Sequence, residues 1–298
     1  MSEKQKRLYP AKWVHIPAAL LALILTVCLW GTQLSLVGLQ VLTSTELHQR
    51  AAAAKDVVDL QMERIAGDVK DLAEEYGFSP EPVIELIRRE DVEQLDRDIV
   101  TWWTGTTSTG KMGEEPEFTL EGAEKVLQAD QKFAGGLDPL LVVSMVDRVV
   151  IQITACVKKS AVLFRDILVN AGVRMAGERL DLPEAVTLLK KVPLLAGMAA
   201  LLCTGLIALL MSRRILTAGQ YLGGALIACG LLAALGLLIM KSLNLRGMIA
   251  EASAALEAQY AHLSGTITLE VLGGAAVLIL LGAGLMILAR KEYRRDEA

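Results

Sequence analysis

Four long stretches of this 298-residue chain lack Asp, Glu, Lys and Arg, and they constrain the fold more than any other feature. They are 13–45, 192–212, 215–240 and 271–289, runs of 33, 21, 26 and 19 residues; no other charge-free run exceeds 12. A helix needs about 20 apolar residues to cross bilayer hydrocarbon, where its backbone groups must be hydrogen-bonded within the segment. These runs therefore predict transmembrane helices at 13–42, 192–211, 220–240 and 270–289. Between them lie a long segment at 43–191, a turn at 212–219 and a shorter segment at 241–269, with short tails at 1–12 and 290–298. The 53% hydrophobic content, before 25 glycines are counted, excludes a disordered chain and disfavours a purely soluble one.

Lys and Arg near span ends resist translocation, so their placement predicts sides. Lys4, Lys6, Arg7 and Lys12 precede the first span, Arg213 and Arg214 fill the turn, and Arg290, Lys291, Arg294 and Arg295 follow the fourth. The other face keeps Lys241 and Arg246 in its short loop and a long segment with 27 acidic and 18 basic residues. Both termini are thus expected in the cytoplasm and the long segment outside the cell membrane. The first apolar run is too long for a secretory signal core of about 7–15 residues. Leu25-Thr26-Val27-Cys28 has Val27 where a lipoprotein signal needs a small residue, so Cys28 reads as a span residue. Cys203 and Cys229 also fall in spans, which leaves Cys156 alone outside, with no intradomain disulfide and no zinc spacing.

The outer segment reads as helices. Thr43-Ser44-Thr45 offers caps for an amphipathic helix carrying Leu47, Ala51, Ala54, Val58, Ile65, Val69, Leu72 and Tyr76, which Gly77 is suited to end. Ser79-Pro80 opens a second helix with the stripe Val83, Ile84, Ile87, Val92, Leu95, Ile99 and Trp102. Thr104 to Gly113 is expected as a surface loop, Thr119 as the cap of a short helix through Val126 and Leu127, and Gly135-Gly136 as a break. Asp138-Pro139 opens a long helix with the stripe Leu140, Val143, Val146, Val150, Ile153, Val157, Ala161, Phe164 and Leu168; Val149-Val150-Ile151 also admits a strand, but no alternation is sustained. Asp181-Leu182-Pro183-Glu184 starts a helix running into the second span, with Pro193 a candidate kink. Leu245, Ile249, Ala252, Leu256, Tyr260 and Leu263 keep helical spacing up to Gly265 and are expected to prolong the third span outward.

Within lipid, small residues let helices approach. Ala196, Ala200, Thr204 and Ala208 recur in the second span, Gly219, Gly223, Ala225, Cys229 and Ala233 in the third, and Gly273, Gly274, Ala275, Gly282 and Gly284 in the fourth. Leu-Gly-Gly-Ala occurs at 222–225 and 272–275, which coincidence explains better than an internal duplication, because Leu, Gly and Ala are common in spans. Gln33 and Gln40 share a face of the first span and need partners in a dry setting, with Thr204 or a second copy of the chain as candidates; a polar path for a solute is the competing reading. Tyr9, Trp13, Tyr221 and Tyr293 are placed to anchor cytoplasmic span ends.

The chemistry of an enzyme is missing from the pattern. No ionisable group lies deep in a span, and the outer segment has no nucleophile elbow, no His-Glu-x-x-His and no phosphate loop. His48 and His262 are expected just beyond the outer surface, where with Glu46 they would form a metal or pH site only if they met. Acid pairs such as Glu74-Glu75, Glu90-Asp91 and Glu114-Glu115 lack calcium-loop spacing, and the acidic balance disfavours nucleic acid. No cofactor, metal or small-molecule ligand is indicated.

Trp102-Trp103 is the one recognition candidate. Adjacent helical residues diverge by about 100 degrees, so one indole can enter the core while the other faces a partner or the membrane surface, although burial of both between helices is the commoner arrangement. The expected fold is all-α, a four-helix transmembrane bundle with a large helical extracytoplasmic domain inserted between the first and second spans. Its expected role is non-enzymatic binding, sensing or scaffolding, with the lipid bilayer and a protein partner or a homo-oligomer as partners. The layout resembles that of FtsX-type permease-like proteins, which implies a permease or channel subunit working with a cytoplasmic ATPase. Ser212 to Gly219 is short for an ATPase-coupling helix.

Overall fold

The computed structural model describes residues 14–111, 113–130, 138–176, 182–212, 215–242 and 253–297, of which 160–176, 215–216, 240–242 and 292–297 are described by backbone alone. The described residues form ten α-helices and no strand: α1 His15–Thr43, α2 Thr45–Ala52, α3 Lys55–Tyr76, α4 Pro80–Leu86, α5 Arg89–Thr109, α6 Ala123–Gln128, α7 Pro139–Ala176, α8 Leu182–Leu210, α9 Ile215–Ser242 and α10 Ala254–Glu297. Five of them are long and apolar enough to cross a membrane: α1, Pro139–Lys159 of α7, α8, Thr217–Ile239 of α9 and Ala254–Lys291 of α10. The fifth, in α7, was not expected, because Asp147 and Arg148 interrupt its apolar run. The chain divides into two compact units, one of Met1–Gln40, Thr187–Asn244 and Gly265–Ala298, the other of Val41–Val186 and Leu245–Ser264.

The first unit is packed inside out relative to a water-soluble core. Its buried positions are mostly small: Ala18, Ala200, Cys203, Ala218 and Ala225 in one cluster, Ala233, Val271 and Ala275 in another. Most of its large side chains point away, with Leu201 75% and Leu280 71% exposed, while Leu25, Ile207 and Met211 are buried. Where α9 meets α10, the interface is held open by missing side chains. A Cβ at Gly223 would stand 2.6 Å from the Gly282 carbonyl oxygen, one at Gly282 would stand 2.5 Å from that of Gly223, and one at Gly230 would stand 2.7 Å from that of Ala275. Glycines seven apart on α9 thus face residues seven apart on α10. Gly273 and Gly284 meet nothing within 4 Å, so only part of the expected small-residue set is used at the contact.

The second unit buries large side chains, including Trp103, Phe78, Ile65, Ile99 and Ile153. Its first amphipathic helix is two: α2 ends at Ala52 and α3 begins at Lys55. Ser44 caps α2, its hydroxyl accepting from the Leu47 amide at 3.3 Å. Gly77 closes α3 in the left-handed region at φ 79°, its amide bonded to the Ala73 carbonyl, as its position suggests. The second expected helix also divides, because Ile87 is extended between α4 and α5. Pro80 takes the first turn of α4, but Ser79 directs both its amide and its hydroxyl to Asp130 instead of capping.

Three further expectations fail for identifiable reasons. Thr104 to Thr109 is helix, not loop: Thr104, Thr106, Ser108 and Thr109 each bond the carbonyl four residues back, Thr104 and Thr107 are buried, and Gly110 ends α5 at φ 70°. Thr119 does not cap α6; Gly122 precedes it at φ 85°, while Phe118 and Leu120 are buried. In α7 the buried stripe is Val142, Met145, Val149, Ile153 and Cys156, leaving Leu140 and Val143 exposed. Val143 lies one turn from Asp147, so the register that keeps Asp147 and Arg148 in solvent turns the start of the expected stripe off the core, while its members Ile153 and Val157 are buried as expected.

α8 is continuous through Pro193, and α10 runs through Gly265 without the expected stop. Gly135-Gly136, the loop residues Leu245, Arg246, Ile249 and Ala252, the basic tail and turn residues Lys4, Lys6, Arg7, Lys12, Arg213 and Arg214, and the anchors Tyr9 and Trp13 lie outside the described residues, as do the side chains of Ala161, Phe164, Leu168, Lys241, Tyr293, Arg294 and Arg295.

Candidate functional site

Trp102 and Trp103 are adjacent residues in the C-terminal half of α5. Trp103 is 2% exposed, on the same face as Val92, Asp96, Ile99 and Val100, and its ring meets His48 edge-on at 4.7 Å. Trp102 is half-buried. Its indole N–H donates to the Gly113 carbonyl at 3.0 Å, and the Lys158 ammonium lies 5.4 Å from its ring centroid. Lys158 is also paired with Glu115. The 113–120 segment is thereby tied both to α5 and to α7, through a cation over an indole face worth roughly 0.5–1 kcal/mol when exposed.

Beside Trp102 the surface forms a shallow groove of about 420 Å³, lined by Asp98, Thr101, Thr106, Glu114 and Pro116 among others. Its walls offer two carboxylates, three threonine hydroxyls, the Lys111 ammonium and one aromatic edge. Such a lining can fix a polar partner by hydrogen bonds and charge.

His48 and His262 do not meet. His48 is fully buried, where its Nε2–H donates to the Val41 carbonyl at 2.7 Å, and burial lowers its pKa with that bond opposing. It is therefore not a surface residue, because α2 folds it under Trp103. His262 pairs with Asp56 at 2.9 Å, and that hydrogen bond holds the Asp56 carboxyl below its usual range. Glu46 faces Arg50 instead. Among the described residues no group of three His, Cys, Asp or Glu side chains is placed to hold a metal.

In the other unit, four polar side chains of α1, His15, Thr26, Gln33 and Gln40, share one face and each finds a partner on another helix. His15 Nδ1 lies 2.6 Å from the Tyr221 hydroxyl, Thr26 reaches the Ala225 carbonyl, Gln33 accepts from the Cys229 thiol at 3.9 Å, and Gln40 donates to Glu270 at 2.7 Å. Thr204 does not join them; its hydroxyl bonds Ala200 in its own helix at 2.8 Å. Glu270 was the partner missed for Gln40, and the signal was its position one residue before a charge-free run. Asp96 was also missed, although its spacing from Val92 and Ile99 places a carboxylate on the apolar stripe of α5. No protein-family model, characterised protein or solved structure is significantly similar to the chain.

Proposed function

We propose that this chain is a non-enzymatic, multi-pass membrane protein with four spans, both termini in the cytoplasm, and an extracytoplasmic helical domain that binds a protein partner beside Trp102. The observation that carries the membrane part is the contrast in exposure between the two units. Leu and Ile face outward around an Ala, Cys and Gly interior in one, and Trp, Phe and Ile face inward in the other. Four spans are favoured over five because the α7 segment behaves as an amphipathic helix of a water-facing domain: it buries Val142, Met145, Val149 and Ile153 and exposes Asp147, Arg148 and Gln152.

Partner binding rests on Trp102. Its indole is pinned by Gly113 and Lys158 yet remains half-exposed at a groove, a pre-ordered aromatic of the kind that dominates interface energetics. The test is a photo-crosslinking residue at position 102 in intact cells, compared with one at Lys70, which is exposed on α3. A discrete adduct with an outer-surface protein at 102 and none at 70 supports this reading; equal, diffuse labelling at both overturns it.

The second reading, a permease or channel subunit with a cytoplasmic partner, is favoured by the amides of Gln33 and Gln40 inside the apolar unit. Their engagement with Cys229 and Glu270 supports a structural use instead. Loss of a solute flux in Gln33→Leu with assembly intact would select the permease reading.

A further inference from the structure

Asp96 lies on the buried face of α5 at 2% exposure, with Val92, Ile99 and Val100 around it on the same helix. Gln61 of α3, 1% exposed, donates from Nε2 to Asp96 Oδ2 at 3.2 Å. That is the one hydrogen bond the carboxyl receives among the described residues, and the buried Gln61 Oε1 has no hydrogen-bond partner among them. An ionised carboxylate in such a place carries unsatisfied lone pairs and an uncompensated charge, while the amide oxygen beside it needs a donor. One proton supplies what both lack.

Charged groups on the neighbouring elements do not neutralise Asp96. Arg64 and Asp68 of α3 and Lys159 of α7 surround Cys156 together with it, and none forms an ion pair with it among the described residues. On α2, Glu46 and Arg50 pair with each other at the surface, and His48 is against Trp103 two turns along α5. Burial pushes the Asp96 carboxyl up to about 6, with the Gln61 hydrogen bond opposing.

We propose that Asp96 and Gln61 are a proton-operated latch joining α3 to α5. With a proton taken from solvent, the Asp96 hydroxyl donates to the Gln61 carbonyl oxygen while the Gln61 amide donates back, closing a two-bond ring. When the proton leaves, one bond and a buried negative charge remain. The folded carboxyl holds its proton more tightly than the unfolded one. Its stabilisation is therefore fully present below the ordinary Asp range, and it is lost as pH rises through about 6. By this pair alone, the α3–α5 contact is tightest in acid and loosens toward neutrality.

The test uses the full chain in nanodiscs. Infrared difference spectra should show a protonated-carboxyl carbonyl band at about pH 5 that disappears by about pH 8 and is missing in Asp96→Asn; hydrogen exchange in α3 and α5, corrected for intrinsic rates, should quicken by about tenfold over that range in the unsubstituted chain beyond any change in the variant. His48 titrates with the opposite sign in both proteins, so the difference between them isolates the latch. If Asp96→Asn does not assemble, Gln61→Leu serves: it removes the acceptor that holds the protonated carboxyl, so the carbonyl band at about pH 5 should move to the higher frequency of a carboxyl without hydrogen bonds, and a band left at its original frequency would count against the latch. A band missing at pH 5, one unchanged at pH 8, or a variant with the original pH response would overturn the proposal.

Discussion

Trp102 and Trp103 differ by one position and about 100 degrees of helix, and the consequences separate cleanly. Trp103 fills the junction of α2 and α5 against His48, whereas Trp102 rides the surface on Gly113 and Lys158. Trp103→Ala is expected to destabilise the domain by about 3–5 kcal/mol, and Trp102→Ala by less than about 1 kcal/mol, read as shifts in thermal unfolding of the purified chain. His48 adds a pH dependence of opposite sign to that of Asp96. Burial lowers its pKa in the folded state, so its contribution is complete above the ordinary histidine value near 6.5 and fades as pH falls toward the lowered one. His48→Gln should remove that acid-side loss from a plot of melting temperature against pH; an unchanged slope between about pH 5 and 6.5 would show that His48 is not buried neutral.

The helices themselves were legible wherever a period of three to four residues ran uninterrupted, as in Val58, Ile65 and Val69 of α3 or Val92, Leu95 and Ile99 of α5, all of them buried. What escaped were features decided by partners distant in sequence. The hydroxyls of Thr104 to Thr109 look like loop composition until each bonds its own helix, and the apolar start of α7 has no preferred face until Asp147 is kept in solvent. Glycine shows the same limit. Gly223, Gly230, Gly273 and Gly284 are alike in sequence, yet only the first two stand against a facing backbone. Gly223→Val should therefore weaken the α9–α10 contact by about 1–3 kcal/mol or more, seen as earlier unfolding in graded denaturing detergent. Gly284→Ala, meeting nothing, should leave that transition in place or raise it slightly; equal losses for both would mean that these helices do not meet at Gly223.

For the molecule as a whole, the number of spans carries a parity that can be measured. Five spans would put the two tails on opposite sides of the membrane and separate Lys4, Lys6, Arg7 and Lys12 from Arg290, Lys291, Arg294 and Arg295. Four keep these basic residues together, as the bias of Lys and Arg toward the cytoplasm favours. The cost of placing α7 in lipid points the same way, since Asp147 and Arg148 would lie near the middle of its apolar stretch, at about 2.5–3.5 kcal/mol each on insertion scales. With the native cysteines replaced, single cysteines at Ser2, Lys70, Glu114 and Glu297 are expected to divide into two classes toward a membrane-impermeant maleimide applied to intact cells. Positions 70 and 114 should react, and positions 2 and 297 should react only after the membrane is opened. Labelling of one tail but not the other would instead make α7 a fifth span. That result would move the Trp102 groove and the Asp96–Gln61 pair out of a purely extracytoplasmic setting, while the burial of Asp96 and the sign of its pH dependence would stand.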